Sequence, residues 1–526
     1  MKHLFISFFL LVLVGCGSDS NDVSEKDTST PVTQMLSESN QTVVPTKSDE
    51  SSSALTPQKT EEILSNLKQD AENIAPVEES TPPSSTSQIP VMQQEEVHKV
   101  RKTVTLYVHG YDDKGVTYDT TYGYDAYDPL LDRLVELTGF DTLLTYDPDT
   151  FSNIVTITPY YGTQAPDYYT TEDIADIERV TNEYGGGIPR YAMIIAKYVK
   201  HVMAISGAEY VNFVSASMGS LVTRWLIEKD VEHLASEKKI GKWYTLEGVI
   251  RGNKIASNED LVKYANTFQE QPIDVTHMSY AWIETYLHHP REEAASVFYQ
   301  NIEIAQESST KADEPFGILM PKTPNDGYQA VVDTYFATFL PQAKYKGKDP
   351  AHIYFYQTHL GLKKDDGAWA SVATFLLSHK RVKIVLSQAT VDDIHEHTYH
   401  FNKEAEIVFE SQVFSPHIKE LWNIDDAIDE RMYDSGALPI HKYKKDHENK
   451  IFDQVLFDSY VLKETDTLVL QIAGYEIDQS VKYGVHDELG TKAKLGSARI
   501  DVALRNIEYT ISAKDWSGII KVEVEN

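Results

Sequence analysis

The chain has only one cysteine among its 526 residues, and this scarcity limits its covalent chemistry. A single thiol can form neither an intramolecular disulfide nor a thiolate zinc site. Positive charge is also scarce, because 48 Lys and Arg face 80 Asp and Glu, giving a formal net charge of −32. A surface of this sign repels phosphate backbones, so we expect no nucleic acid partner.

Long hydrophobic runs are missing as well. The run Leu4–Val14 is about eleven residues long, which is typical of a secretory signal and too short to span a bilayer. It ends in Leu13-Val14-Gly15-Cys16, which resembles the lipobox of bacterial lipoproteins. The resemblance implies cleavage before Cys16, acylation of its thiol and, because Gly17 follows, an outer-membrane or cell-surface location in the bacterial envelope. The alternative is an ordinary signal peptide that happens to contain a cysteine.

The chain divides by composition into further segments. Residues 17–100 are rich in Ser, Thr, Gln, Asp, Glu and Pro, so they cannot bury enough apolar surface to offset the entropy of ordering, and we predict a disordered tether. Residues 101–380 read as a catalytic α/β domain with a cap insertion at about 258–314. Residues 381–526 read as a β-sandwich.

Two motifs in the α/β segment point to nucleophilic catalysis. The strand Tyr210–Val214 breaks at Ser215-Ala216-Ser217-Met218-Gly219, and a helix follows from Ser220. A strand, tight turn and helix in this order can expose the hydroxyl of Ser217 at the end of a parallel sheet. The competing interpretation is a small-residue turn in a nucleotide-binding fold. Upstream, the strand Thr103–Val108 ends at His109-Gly110-Tyr111, where a backbone N–H can serve an oxyanion hole.

These motifs resemble those of bacterial lipases and esterases of the α/β-hydrolase superfamily, over about residues 104–377. The resemblance implies a mostly parallel sheet flanked by helices, with Ser217 as nucleophile. It also implies an oxyanion hole formed by the N–H groups of Tyr111 and Met218. Ser215 departs from the glycine usual at the first position of the pentapeptide.

The superfamily order of nucleophile, acid and base selects two further residues. Asp326 lies in an Asn-Asp-Gly turn, after a short predicted strand at Phe316–Met320, and Asp333 is an alternative acid. His359 follows the predicted strand His352–Tyr356 and precedes the last helix, which is where this fold places its general base.

After Leu377 the pattern changes to short alternating strands. Their number and spacing predict a β-sandwich. Four acidic residues resemble the calcium-binding loops of the sandwich in synaptotagmins and protein kinase C, which implies a Ca²⁺ site formed by Asp392, Asp393, Asp478 and Asp487. A plain acidic, solvated edge is the alternative. The chemistry itself requires no cofactor.

Together these patterns predict a serine hydrolase of carboxylic esters with a Ser217, Asp326 and His359 triad. A lipase or esterase acting on lipid or small ester substrates at the cell envelope is the main hypothesis. A phospholipase or acyltransferase would use the same triad. A surface-binding lipoprotein without activity, on a hydrolase scaffold, is the alternative from another class.

The lipobox generates a direct prediction. Cys16→Ser should abolish incorporation of radiolabelled palmitate and move the protein from the membrane fraction to the soluble fraction, because the apolar run is too short to hold it in a bilayer. A Cys16→Ser protein that remains in the membrane fraction would contradict the lipobox interpretation.

Overall fold

The structure is a computed structural model. It describes residues 103–111, 120–147, 153–258, 272–287, 298–311, 320, 324–336, 343–355, 357–377, 379–394, 404–414, 422–423, 439–476 and 493–525. The predictions on Cys16, the tether at 17–100, Asp478, Asp487 and nearly all of the strand at 316–320 lie outside these residues.

Seven strands form one sheet in the order β2-β3-β1-β4-β5-β6-β7, and every neighbouring pair is parallel. They are β1 (Thr103–Val108), β2 (Asp141–Thr142), β3 (Ile154–Ile157), β4 (Tyr210–Ala216), β5 (Ile240–Leu246), β6 (Glu303–Ser309) and β7 (Ala351–Phe355). Parallel neighbours need crossover connections, and described helices lie in each of these connections except the one between β2 and β3. The arrangement is the α/β-hydrolase fold, as predicted.

Nine α-helices accompany the strands in the described residues. They are α1 (Pro129–Thr138), α2 (Thr171–Tyr184), α3 (Gly187–Ser206), α4 (Met218–Glu228), α5 (Pro272–His277), α6 (Tyr280–Tyr286), α7 (Val331–Thr334), α8 (His359–Leu362) and α9 (Asp366–Leu376). Where the structure describes the chain, none of its helices combines the length and apolar character needed to cross a membrane.

The sheet separates two hydrophobic clusters, because successive residues of a strand point to opposite faces. In β1, Val104 and Leu106 belong to the cluster that contains α3 and α4. Tyr107, between Leu106 and Val108, belongs to the other cluster, which contains α1 and α9. Both faces of the sheet are therefore covered.

Strand β6 corrects the predicted extent of the insertion. Residues 303–309 were expected within a cap at 258–314, yet they pair with β5 and β7 inside the sheet. Their sequence looks polar, but Gln306, Glu307 and Ser308 are fully buried and hydrogen-bonded. Gln306 donates to the Thr334 carbonyl, and Tyr244 donates to Glu307. Hydrogen bonds, together with the buried Ile304 and Ala305, hold this strand in the core, and its polar residues hid it from hydropathy.

Within the range of the predicted insertion, the chain forms two short helices, α5 and α6, which are separated at Met278 and Ser279. The Ser279 side chain accepts a hydrogen bond from the Trp282 N–H and so caps the start of α6.

The C-terminal residues form two antiparallel sheets, in agreement with the predicted sandwich. One contains β10 (Trp422–Asn423), β9 (Ala405–Phe414), β13 (Thr467–Glu476) and β14 (Ala493–Ala503), with β11 (His441–Tyr443) pairing to β9. The other contains β12 (Glu448–Leu462), β8 (His379–Val391), β16 (Trp516–Glu525) and β15 (Ile507–Ser512). The strands β10, β11 and β12 were not predicted. In β12 the first half carries exposed and half-exposed side chains at most positions, so its strand signal is weak.

The sandwich and the parallel sheet share a core. Side chains of α9 and of strands β8, β9 and β12 all belong to the same buried cluster. At the junction the ring of Phe375 lies 5.0 Å from that of Tyr460. Lys242 of β5 donates to the Phe375 carbonyl at 2.6 Å.

Trp516 joins the two C-terminal sheets. It is fully buried on β16, its ring packs edge-on against Phe409 of β9 at 4.9 Å, and its Nε1–H donates to the Gly496 carbonyl of β14. A side chain at Gly474 would lie 2.9 Å from the indole nitrogen, so glycine is needed where β13 passes the ring.

We expect Trp516→Ala to lower the free energy of unfolding by about 3–5 kcal/mol, since it leaves a large cavity between the sheets. Trp516→Phe keeps a ring against Phe409 but loses the Gly496 hydrogen bond and part of the indole volume, so its loss should be about 1–3 kcal/mol. Guanidinium unfolding followed by far-UV circular dichroism measures both. Equal effects of the two substitutions would contradict the bridging role of the ring.

Candidate active site

Ser217 lies at the tip of a strained turn between β4 and α4. Its backbone has φ 51° and ψ −123°, in a region that side chains other than glycine rarely adopt. The Ser217 N–H donates to the Leu246 carbonyl of β5, and the Ser217 carbonyl accepts from Val249. These hydrogen bonds to the neighbouring strand end hold the turn, which presents the hydroxyl at the carboxyl edge of the sheet.

Two glycines permit the close packing around this turn. A Cβ at Gly110 would lie 3.1 Å from the Cβ of Ser217, so the loop after β1 passes directly beside the serine. A Cβ at Gly219 would overlap the carbonyl oxygens of Val108 and His109. Glycine at these two positions therefore brings β1, its loop and α4 together at Ser217.

The contacts of Ser215 explain how a serine can take the place of the usual glycine. Its hydroxyl accepts a hydrogen bond from the Trp243 indole at 2.6 Å and lies 3.2 Å from the Ser220 hydroxyl. The side chain is fully buried and points into β5, away from crowding at the turn.

The structure brings all three residues of the predicted triad together. His359 Nε2 lies 3.0 Å from Ser217 Oγ, and its Nδ1 lies 2.7 Å from Asp326 Oδ2. All three residues are buried, although they are separated by up to 142 positions in the chain. A carboxylate beside Nδ1 favours the tautomer with the proton there, which leaves Nε2 to accept the serine proton.

Asp326 is held in place by its own turn. Its Oδ1 accepts hydrogen bonds from the N–H groups of Tyr328 and Gln329, so Oδ2 is directed at the histidine. Gly327, at φ 99°, makes the tight turn possible. The His359 N–H also donates to the Asp326 carbonyl, which links the two loops through the backbone.

The alternative acid Asp333 and the buried histidine of β7, His352, both lie elsewhere. Asp333 accepts a hydrogen bond from Tyr280, and burial raises its pKa to about 6. His352 has its Nε2 2.8 Å from the Ser308 hydroxyl, and burial lowers its pKa to about 3. Neither group touches Ser217 or His359 in these contacts.

The predicted oxyanion donors flank the serine. Met218 is the first residue of α4, where N–H groups have no acceptor within the helix and the helix dipole is positive. Tyr111 follows Gly110, the residue packed against Ser217. The two N–H groups thus belong to the two segments that meet at the nucleophile.

An aromatic cluster supports the loop after β1. Tyr160 donates its hydroxyl to the His109 carbonyl at 2.6 Å and stacks on the His109 ring at 3.9 Å. Burial lowers the pKa of His109 to about 4, so this histidine is neutral near pH 7. Tyr161 and Tyr191 pack against Tyr160. The Tyr160-Tyr161 pair is therefore buried beside the site rather than being ordinary surface.

Sequence reasoning missed Glu247. This residue directly follows β5, is 1% exposed, and places Oε2 3.2 Å from His359 Nδ1. The available signal was an acidic residue at the carboxyl end of an apolar strand of the sheet. That signal says nothing about which loop the carboxylate faces, because His359 is more than a hundred residues away in the chain.

Among the described residues, Glu247, Asp326 and His359 form the one group of three potential metal ligands, with their ligand atoms within 4.8 Å of one another. Both ring nitrogens of His359 already face Ser217 and Asp326, so the arrangement suits proton transfer. At the sandwich, Asp392 lies 3.2 Å from His447 Nδ1. With Asp478 and Asp487 outside the described residues, the calcium site stays a prediction.

Comparisons with known proteins give a likeness to solved structures only. No protein-family model and no curated protein matches the chain in sequence. A lipase from Bacillus licheniformis in its mature form is 12% identical over 51% of this chain and 87% of its own, with a TM-score of 0.30. A metagenomic carboxyl esterase is 14% identical, over 57% and 79%, with a TM-score of 0.31. A phospholipase from Legionella pneumophila is 12% identical, over 44% and 45%, with a TM-score of 0.28.

The geometry makes Ser217 the hydroxyl that a histidine can activate. A fluorophosphonate probe should therefore phosphonylate Ser217, with loss of fluoride and transfer of the serine proton to His359. Intact mass spectrometry should show one adduct on the native chain and none on Ser217→Ala. Ser220→Ala is the matched control, because it removes a buried neighbouring hydroxyl that does not contact His359. An adduct on the Ser217→Ala protein would place the nucleophile elsewhere.

Proposed function

We propose that this protein is a serine hydrolase of carboxylic esters, and more narrowly a triacylglycerol lipase or esterase of the bacterial cell envelope. One observation carries the proposal. Ser217 Oγ, the two ring nitrogens of His359 and Asp326 Oδ2 follow one another at 3.0 and 2.7 Å, at the carboxyl edge of the sheet. This is the order of contacts that general-base activation of a serine requires.

Acylation begins when Ser217 Oγ attacks the ester carbonyl. His359 Nε2 takes the serine proton, and the charge of the resulting imidazolium is stabilised by the Asp326 carboxylate. The negative charge that develops on the carbonyl oxygen is met by the N–H groups of Tyr111 and Met218. His359 then returns the proton to the departing alcohol.

Deacylation repeats these steps with water. The same Nε2 removes a proton from the water that attacks the acyl-enzyme, and it returns that proton to Ser217 as the acid leaves. The strained backbone of Ser217 keeps the hydroxyl in place through both halves, because the turn cannot relax without breaking its bonds to β5.

One feature supports an uncharged ester as substrate. The net charge of −32 opposes the approach of anionic head groups.

The envelope location is part of the proposal and is supported by the sequence alone. A diacylated Cys16 followed by a polar tether at 17–100 would hold the hydrolase near a membrane while leaving it room to reach dispersed substrate. The lipid-anchored form would then act where neutral lipids and esters meet the cell surface.

A substrate panel tests the function. We expect hydrolysis of p-nitrophenyl esters and tributyrin by the native protein and a loss of at least about a thousandfold in Ser217→Ala. Phosphatidylglycerol vesicles should be cleaved at least about tenfold more slowly than neutral ester, owing to charge repulsion. Ser220→Ala serves again as the control, and its rates should match those of the native chain.

Two outcomes would overturn the proposal. Absence of ester hydrolysis together with absence of probe labelling would leave a binding protein on a hydrolase scaffold. Preferential cleavage of phosphatidylglycerol would replace the neutral-lipid assignment with a phospholipase.

A further inference from the structure

A second carboxyl group faces the histidine of the triad. Glu247 Oε2 lies 3.2 Å from His359 Nδ1, the nitrogen that Asp326 Oδ2 approaches at 2.7 Å. Glu247 and Asp326 come from different segments, one directly after β5 and the other in the turn that leads to α7. The Nδ1–H of His359 therefore has two potential acceptors, with Asp326 the nearer.

The position of Glu247 is fixed by contacts. Ser309 at the end of β6 donates its hydroxyl to Glu247 Oε1 at 2.9 Å, and the Glu247 N–H donates to the Glu307 carbonyl. The backbone of Glu247 has φ 50°, a left-handed conformation that is unfavourable for a non-glycine residue. Such strain persists where the surroundings hold it, and it clusters at functional sites.

We propose that Glu247 is a positioning residue for His359: it shares the Nδ1–H with Asp326 and becomes the orienting carboxylate of the histidine when Asp326 is removed. This inference rests on the proposed function, since it assigns a role within the same site. It concerns a residue that acts through His359 and does not itself touch the ester.

The electrostatics of the pair agree with this division of roles. Burial, and next the charge of Asp326, raise the pKa of Glu247 well above its usual range. The Ser309 hydroxyl and Lys363 act in the opposite direction, and Glu307 adds to the increase. Burial and the charge of Asp326 both favour the neutral form of Glu247 while Asp326 is present. Loss of Asp326 removes the negative charge that raises the pKa of Glu247, and so favours ionisation of Glu247.

Removal of Asp326 should accordingly be milder than in a site with one acid. Loss of the only orienting carboxylate in a serine triad lowers kcat by about ten-thousandfold. Here we expect Asp326→Ala to lower kcat/KM by about 10–100-fold, and Asp326→Ala with Glu247→Gln to lower it by about a further 100-fold. Glu247→Gln alone keeps an acceptor oxygen and should lose less than about tenfold.

Two further variants complete the set. Asp326→Asn keeps Oδ1 as acceptor for the Tyr328 and Gln329 amides and is used if Asp326→Ala fails to fold. Because its NH2 group favours the wrong tautomer of His359, it is compared with its own double variant carrying Glu247→Gln. Glu307→Gln is the matched control, because it removes another buried carboxyl, on the adjacent strand, whose partner is Tyr244. Its kcat/KM should stay within about twofold of the native value.

The pH profile separates positioning from a merely structural role. In Asp326→Ala, activity requires ionised Glu247, and burial still raises the pKa of this group. The acid limb of the pH profile of Asp326→Ala should therefore lie at higher pH than that of the native protein. Adding Glu247→Gln to Asp326→Ala should abolish this shifted limb. Equal activity of the single and double variants, or an unshifted limb, would overturn the inference while leaving the ester hydrolysis of the native protein intact.

A measurement that needs no turnover gives an independent answer. The Nδ1–H of His359 in the ¹⁵N-histidine-labelled full chain should give a downfield proton resonance, assigned by its loss in His359→Gln. Glu247→Gln should move this resonance and Glu307→Gln should not. An unmoved resonance in Glu247→Gln would overturn the inference whether or not the protein hydrolyses esters.

Discussion

The parallel direction of the seven strands is the constraint on which the site depends. Because all strands run the same way, the segments after β1, β4, β5, β6 and β7 emerge at one edge of the sheet. The residues that follow them, including Ser217 and His359, meet there although they are far apart in the chain. In an antiparallel sheet, the same catalytic side chains at the ends of successive strands would lie at two opposite edges.

Buried polar residues are a second feature of this edge of the sheet. Strand β6 enters the core with Gln306, Glu307 and Ser308, and each finds a partner on a neighbouring element. Unpaired polar groups in such a place would each cost about 1–3 kcal/mol, so the partners are a condition of the fold rather than an addition to it. The same strand end holds Ser309, which links the polar core to the carboxyl groups beside His359.

The sequence revealed the parts of the site that are local. The elbow around Ser217 is readable because strand, turn and helix are contiguous, and Asp326 and His359 follow from their order after it. What depends on distant partners was not readable. Strand β6 has a polar sequence, and the partners that allow its polar residues to be buried lie on other segments. Strand β12 begins with exposed positions, so its strand pattern is weak. The contact of Glu247 with the triad was not readable either, since only the fold brings His359 to its side chain.

The shared core between α9 and the C-terminal sheets has a consequence for how the molecule evolves and unfolds. One buried cluster runs from Tyr107 in the parallel sheet through Phe375 to Trp516. A sandwich joined in this way is not a detachable module, because its removal would expose the apolar side of α9 to water. The two parts are therefore expected to open in hydrogen exchange as one cooperative unit, and recombination that exchanges one part must preserve the packing face of the other.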